Sequence, residues 1–358
     1  MENSDKPILI TGGSGFIASY LAMELLKAGE KVVLFDRDPD LRRLTGYNEA
    51  YKKHRDRVTF VQGDISILAH VLALFDKHEP KGVFHLGALL SAGAESNPTM
   101  GFEVDLVGSR NVFDAARIFC QQNSEPPVRV LFPSTIASFG RFIDGGTLVS
   151  NEAVQMPTTM YGVAKVATER LGEYYTGKGW IDFRAVRFPS VVGASRGPGG
   201  TTVYSTLMIQ TPLQGRPYES YVPADTRLDI IYVRDAVEAL LGLYAAKPES
   251  LFNVDEKSGT KTPRRVYNIA GIRMNGQAPQ ASDIAAAVMK KIRKEGIITY
   301  NPNPILTATV KTFGILDDTA AKENWRWKGA QYDLEKTIDD FRREVTMYPD
   351  RIKAIELY

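Results

Sequence analysis

The chain of 358 residues contains one cysteine, Cys120, so no intrachain disulfide can form and nothing calls for an oxidising compartment. Histidines are scarce as well, and His54, His70, His78 and His85 have no metal-ligand spacing. No charge dominates: 44 Lys+Arg stand against 42 Asp+Glu, a net +2, which excludes an obvious electrostatic nucleic-acid binder. No stretch reaches the roughly 18 apolar residues that span a bilayer. Met1 to Pro7 is polar and runs straight into a short apolar segment ended by glycines, which is no secretory core. Internal repeats and low-complexity tracts are missing. What remains is 44% hydrophobic and 24% charged, an ordinary globular composition with enough chain for a large core. These features lead us to expect a cytoplasmic protein without nucleic-acid or membrane partners.

Ile8-Leu9-Ile10 is a short apolar run, followed by Thr11-Gly12-Gly13-Ser14-Gly15 and then by Ile17, Leu21, Leu25 and Leu26 at helical spacing. Beyond Gly29, Lys31 to Asp36 reads as a second buried strand, so the first forty residues predict a βαβ unit. Further strands are expected at 58–61, 82–86, 128–132 and 183–188, with helix-compatible sequence between them. That alternation predicts an α/β fold, a Rossmann-type doubly wound parallel sheet whose ligand lies at the carboxyl ends of its strands. From about Val191 the texture changes: 193–202 is glycine-rich, 228–246 returns to a strand-and-helix pattern, 248–265 is a polar loop, and short strands follow at 266–269 and 297–300. The expected organisation is a Rossmann domain over 1–190 with a return segment at about 228–247, and a smaller substrate lobe over 191–227 and 248–358.

Gly13-Ser14-Gly15-Phe16-Ile17-Ala18 fits G-x-G-x-x-G/A between a strand and a helix, with Asp36 about 20 residues further on. Glycines there let the backbone approach a pyrophosphate, whose charge sits on the positive helix N-terminus. Asp36 is placed to accept hydrogen bonds from adenosine ribose hydroxyls and to repel a 2′-phosphate, which favours NAD over NADP; its neighbour Arg37 acts the other way. Asp64, with Ile65, lies just past the third strand where an adenine would sit, and a solvated turn aspartate is the plain alternative.

Tyr161 and Lys165 are four apart at the start of a helical stretch, so they share a face. A lysine ammonium beside a phenol stabilises phenolate, giving a general base for an alcohol. The pattern alone is weak, since any exposed helix can carry it. It gains weight from Ser134-Thr135 at the carboxyl edge of the upstream strand, where a hydroxyl donor polarises a substrate oxygen.

Together Thr11 to Ile17, Asp36, Ser134-Thr135, Tyr161-x-x-x-Lys165 and Arg187-Phe188-Pro189 resemble an extended short-chain dehydrogenase/reductase over most of the chain. Three strings, His85 to Ala92, Pro133 to Gly140 and Gly199 to Thr202, are most similar to the L-threonine 3-dehydrogenase branch. The resemblance implies NAD-dependent oxidation of a secondary alcohol on a small polar substrate, L-threonine-like or a related 3-hydroxy acid. Tyr161 would then be the base and Lys165 its tuning residue, with Thr135 and Ser134 holding the reacting oxygen. It assigns Gly12, Gly15, Phe16, Ile17, Leu86, Gly87, Ala88 and Pro189 to the cofactor, with Ser190 near the nicotinamide amide. Ser91, Ser134, Gly200, Thr201 and Thr202 fall to the substrate. It also implies a homodimer built on the amphipathic helices expected at about 99–120 and 161–176.

The chain departs from that branch at three places. Val203 stands where an acid follows the paired threonines, and an apolar side chain cannot pair a substrate ammonium. The tryptophan-containing segment is unrecognisable at 311–316, and the usual asparagine after the fourth strand is Asp105. A nucleotide-sugar epimerase or dehydratase shares the glycine motif and the Tyr–Lys pair; Ser190, where those enzymes commonly place asparagine, tilts against it. A non-catalytic NAD-binding regulator would have no use for Thr135, Tyr161 and Lys165 together. Trp325 and Trp327 are expected to pack terminal helices, and His85 to be a hydrogen-bonded core residue. Arg187, Arg227, Asp229 and Asp235 are expected to form an ion-pair network, with Arg187 alternatively facing a substrate carboxylate.

Overall fold

Strand β1 (Ile8–Thr11) passes through the glycine turn into helix α1 (Phe16–Lys27) and back along β2 (Val32–Asp36), the βαβ unit that the sequence predicts. The computed structural model that carries these elements describes residues 5–141, 143–144, 146–254 and 258–353. The alternation continues with β3 (Val58–Gln62), α2 (Leu68–His78), β4 (Gly82–His85), α3 (Gly108–Asn123), β5 (Arg129–Thr135), α4 (Met160–Gly177) and β6 (Asp182–Phe188). Then follow β7 (Ser190–Val192), α5 (Tyr204–Leu213), β8 (Ile230–Tyr232), α6 (Val233–Ala245), β9 (Val266–Asn268), α7 (Ala281–Ile292) and α8 (Leu334–Met347).

Seven strands form one sheet in the order β9-β6-β5-β4-β1-β2-β3, and every pair is parallel. Both faces are covered, which is why the strands read as continuous apolar runs. Alternate residues serve opposite sides: Ile8, Ile10 and Leu131 join the core under α1 and α6, whereas Leu9, Val130 and Phe132 join the one under α2 and α3. Each fully buried side chain of this kind contributes roughly 1.5–3 kcal/mol. The order of strand addition reverses between β1 and β4, successive strands being laid down to opposite sides, which opens a crevice at their carboxyl ends.

Three sequence expectations need correction. The 266–269 run, assigned to the substrate lobe, is β9, which pairs with β6 and extends the main sheet. A short apolar strand looks the same in either place, because its partner is chosen by a distant crossover. The polar loop at 248–265 carries a hairpin of Phe252–Val254 against Lys261–Pro263, while residues 255–257 lie outside the described ones. The helix expected from residue 99 is interrupted by a widened π turn at Phe102–Val107, which presents Asp105 inward.

The far end of the chain returns to the first domain. Arg351, fully buried in the last turn Pro349–Lys353, lies over the rings of Tyr47 and Tyr20 at 3.8 and 4.4 Å and pairs with Glu344. Its Nε donates to the Arg43 carbonyl at 2.7 Å, pinning the short helix Arg42–Thr45 at the rim of the crevice. Among the described residues no helix is long and apolar enough to cross a membrane, and no cluster of His, Cys, Asp and Glu could hold a metal.

Candidate active site

A cleft of about 460 Å³ runs along the carboxyl ends of β1, β2, β4, β5 and β6. It gathers the residues that the resemblance assigns to cofactor, substrate and chemistry, from Gly12 and Asp36 at one end to Tyr161, Gly200 and Thr202 at the other.

At the first end Gly12 has φ +67°, and a Cβ there would lie 2.7 Å from the Gly87 backbone nitrogen, so only glycine lets the turn and the β4 loop meet. Gly15 precedes the first turn of α1, whose free N–H groups form an anion-binding terminus. Asp36 is held by the Ser14 and Asp38 backbone N–H groups, which donate to it at 3.1 and 3.0 Å. Asp64 also lines the cleft, but its carboxylate accepts from the backbone and hydroxyl of Ser66, the geometry of a self-contained turn. A backbone cradle that a Cβ would fill, with a fixed carboxylate beside it, fits a dinucleotide.

The other end is built on β5 and α4. Thr159 caps α4 by accepting from the Gly162 N–H, which sets Tyr161 in the first turn and Lys165 one turn later. Strand alternation separates the two hydroxyls expected to act together. Ser134 shares the Phe132 face and donates to the buried Glu169 of α4, whereas Thr135 accepts from the Ala137 N–H and retains its own proton for a ligand. Both residues line the cleft, but the Ser134 hydroxyl proton is engaged by Glu169, which leaves Thr135 as the hydroxyl with a proton to offer.

Lys165 is buried, its Nζ donating to the Pro133 carbonyl at 2.9 Å and lying 5.4 Å from the centre of the Tyr161 ring. Burial pulls its pKa down to about 8, against the opposing pull of Asp105 and Glu169. Burial, reinforced by the Asp105 charge and opposed by Arg196, pushes the Tyr161 phenol above its ordinary range. The phenol is thus not lowered as the Tyr–Lys spacing suggests, because desolvation outweighs the one opposing charge, that of Arg196.

Asp105 is the residue whose purpose the sequence leaves open. Its Oδ1 accepts from the Leu89 N–H at 2.6 Å, tying the π turn to the loop after β4, while Oδ2 is buried without a partner. Burial raises this carboxyl to about 6, moderated by Lys165 and by the Leu89 bond. Below about pH 4 folded and unfolded chains both hold the proton; between there and pH 6 only the folded chain does, so stability falls as pH rises through that window. Asp105→Asn lacks this loss and should therefore gain on the wild type between pH 4 and pH 7, by on the order of 1–3 kcal/mol. Urea midpoints of both proteins at the two pH values test this, and a pH-independent difference would refute it.

The remaining expectations divide cleanly. His85 is a neutral core residue: its Nδ1 meets the Thr11 hydroxyl at 2.7 Å, its Nε2 meets Ser109 at 2.9 Å, and burial drops its pKa to about 3, helped by Lys165. Trp327 packs beside Trp325 and donates to Asp318. The proposed four-residue ion network does not form. Arg187 is buried on Glu169, Asp229 pairs with Arg273, Asp235 accepts from Gln331 and Tyr332, and Arg227 donates to the Ala278 carbonyl. Arg187 also lies outside the cleft lining, which removes it as a substrate anchor. Val203 is 6% exposed and lies outside the lining too. Sequence reasoning missed Arg43, Arg196 and Phe313, which all line the cleft. Arg196, a single cation inside a glycine-rich segment, was the one visible signal.

The model of the NAD dependent epimerase/dehydratase family matches residues 8–255. The mitochondrial L-threonine 3-dehydrogenase of Bos taurus is 30% identical over 343 residues, 94% of this chain and 82% of that protein. The L-threonine dehydrogenase structure from Clostridium difficile superposes with a TM-score of 0.80 at 26% identity, covering 99% of this chain and 100% of that one. The UDP-glucose 4-epimerase of Thermotoga maritima shares the fold, with a TM-score of 0.74 at 21% identity over 95% of this chain and 99% of its own.

Proposed function

Since the chain belongs to the NAD-dependent epimerase/dehydratase family and is an extended short-chain dehydrogenase/reductase close to the L-threonine 3-dehydrogenases, we propose that it oxidises the secondary alcohol of a small polar substrate with NAD. The observation that carries this reading is the convergence of Thr135, Tyr161 and Lys165 in the same cleft as the glycine turn and Asp36. When bound, NAD would supply the acceptor for the hydride of the carbinol carbon. The chain's residues handle the proton: Thr135 donates to the substrate oxygen, and the Tyr161 oxygen takes the hydroxyl proton. Lys165, between the Pro133 carbonyl and the Tyr161 ring, supplies the positive charge that favours phenolate. Gly12, Gly15, Phe16 and Ile17 would hold the pyrophosphate, and Leu86, Gly87, Ala88 and Pro189 would flank the dinucleotide. Homodimerisation through the helices at 98–123 and α4 accounts for Met100, Phe102, Val163 and Tyr174, large apolar side chains that those helices leave exposed.

The test is NADH release by the purified protein with NAD and a panel of small secondary alcohols that includes L-threonine. Accumulating NADH supports the dehydrogenase; conversion of a nucleotide sugar with the cofactor retained would favour the epimerase reading, whose fold is shared. Cofactor choice gives a second check. Asp36→Ala removes a carboxylate flanked by Arg37 and Arg43, and the NAD/NADP ratio of kcat/KM should fall by roughly 10- to 100-fold, the worth of a hydrogen bond to a charged group. An unchanged ratio would remove Asp36 from cofactor selection.

A further inference from the structure

Arg196 lines the cleft near Tyr161 but has no part in the proton transfer described above. Its Nη1 donates to the Val191 carbonyl at 2.7 Å and to the Ser190 hydroxyl at 3.2 Å, and its Nη2 to the Thr202 hydroxyl at 3.2 Å. Every one of these acceptors is neutral. Among the described residues Arg196 pairs with no carboxylate, and its Nε makes no hydrogen bond. The side chain is seated by design of the loop: a Cβ on Gly200 would lie 2.9 Å from Nη2. Burial draws its pKa down to about 10, so the guanidinium remains charged at neutral pH. Arg196 is half-buried, and a partly desolvated cation held only by neutral acceptors gains a charge-assisted partner when an anionic ligand binds.

The charge distribution along the cleft points the same way. Its carboxylates, Asp36 and Asp64, both lie at the glycine-turn end, whereas the reacting end presents Lys165 and Arg196. Asp105 is absent from the lining, and its Oδ1 accepts from the Leu89 N–H. Val203 is buried beneath the start of α5, so neither its side chain nor its position offers a partner for an ammonium group. The same cleft must admit the dinucleotide as well as the substrate, which limits the substrate's size.

We propose that Arg196 is the substrate's anion anchor, and that the substrate is a short hydroxy acid whose carboxylate it binds and which carries no ammonium group. The inference rests on the dehydrogenase reading and narrows it to one substrate class. In the Michaelis complex the carboxylate accepts from the guanidinium next to Thr202, which places the alcohol carbon between Tyr161 and Thr135.

The test uses the full chain with NAD and three probes: 3-hydroxybutyrate, its methyl ester and L-threonine. Wild type should favour the acid over both others by at least tenfold in kcat/KM. Arg196→Met should raise KM for the acid roughly 10- to 100-fold, with kcat changed far less, and should erase the preference over the ester. Arg196→Lys should recover part of that loss, which separates charge recognition from misfolding. Preference for the acid that survives in Arg196→Met, or L-threonine as the better wild-type substrate by tenfold, overturns the proposal. If none of the three yields NADH, the dehydrogenase reading fails for small alcohols, and calorimetric titration of the protein–NADH complex judges the anchor separately. Binding of 3-hydroxybutyrate that Arg196→Met abolishes upholds it. No such binding, or Arg196-dependent binding of UDP in its place, overturns it.

Discussion

Tyr161→Phe should lower kcat by about 10²–10⁴-fold while leaving the affinity for NAD within a factor of about three. The variant deletes one oxygen and keeps the ring, which packs against the core and faces the Lys165 ammonium at 5.4 Å. Lys165 would still donate to the Pro133 carbonyl, and Thr135 would still offer its hydroxyl, so the cleft loses only the group that takes the proton. Burial and Asp105 both raise the phenol, so in wild type the rate should climb as pH rises toward the tyrosine's apparent pKa in the ternary complex. That limb should vanish in the phenylalanine variant. NADH formation at saturating substrate, beside a fluorescence titration of cofactor, reads both quantities. Retained turnover would remove Tyr161 from the mechanism.

The largest loss of stability is expected from Glu169→Ala, at about 3–5 kcal/mol. Glu169 is fully buried and accepts from Arg187 Nε and Nη2 at 3.0 and 2.8 Å, from Gln155 at 2.9 Å and from the Ser134 hydroxyl. Removing it strands a guanidinium that is 2% exposed, left among the described residues with only the Asn151 carbonyl and Asn268 side chain as acceptors. The damage reaches the site because Ser134 precedes Thr135 on β5. Glu169→Leu combined with Arg187→Leu should recover much of the loss, since replacing both members of a buried pair with apolar groups is often near neutral. Denaturant midpoints of the single and double variants measure this. A single-variant loss under about 1 kcal/mol would mean that water already reaches the pair.

The first end of the cleft was legible in the sequence because its signals are local. The glycine turn, α1 and Asp36 fall within forty residues, and each follows from a short-range rule about turns, helical spacing and strand ends. Tyr161 and Lys165 were legible for the same reason, being one helical turn apart. Strand parity was available as well: with Phe132 facing α4, Ser134 must face it too, so Thr135 alone could be free. Residues chosen by distant partners were hidden. Glu169 resembles any surface acid on an amphipathic helix until β6 places Arg187 opposite it. β9 resembles a lobe strand until it pairs with β6. Asp105 acquires its meaning only from a π turn that no periodicity announces, and Arg196 only from the loop fold that brings it beside Tyr161.

The clasp between Arg351 and the Arg43 carbonyl joins residues 308 positions apart. During synthesis the Arg43 side chain can reach the Ser14 and Ser195 carbonyls first, but its own carbonyl meets its donor only once Arg351 has been made. At typical elongation rates that interval is about 15–60 s. A nascent chain therefore carries the phosphate cradle well before this clasp on the cofactor mouth can form.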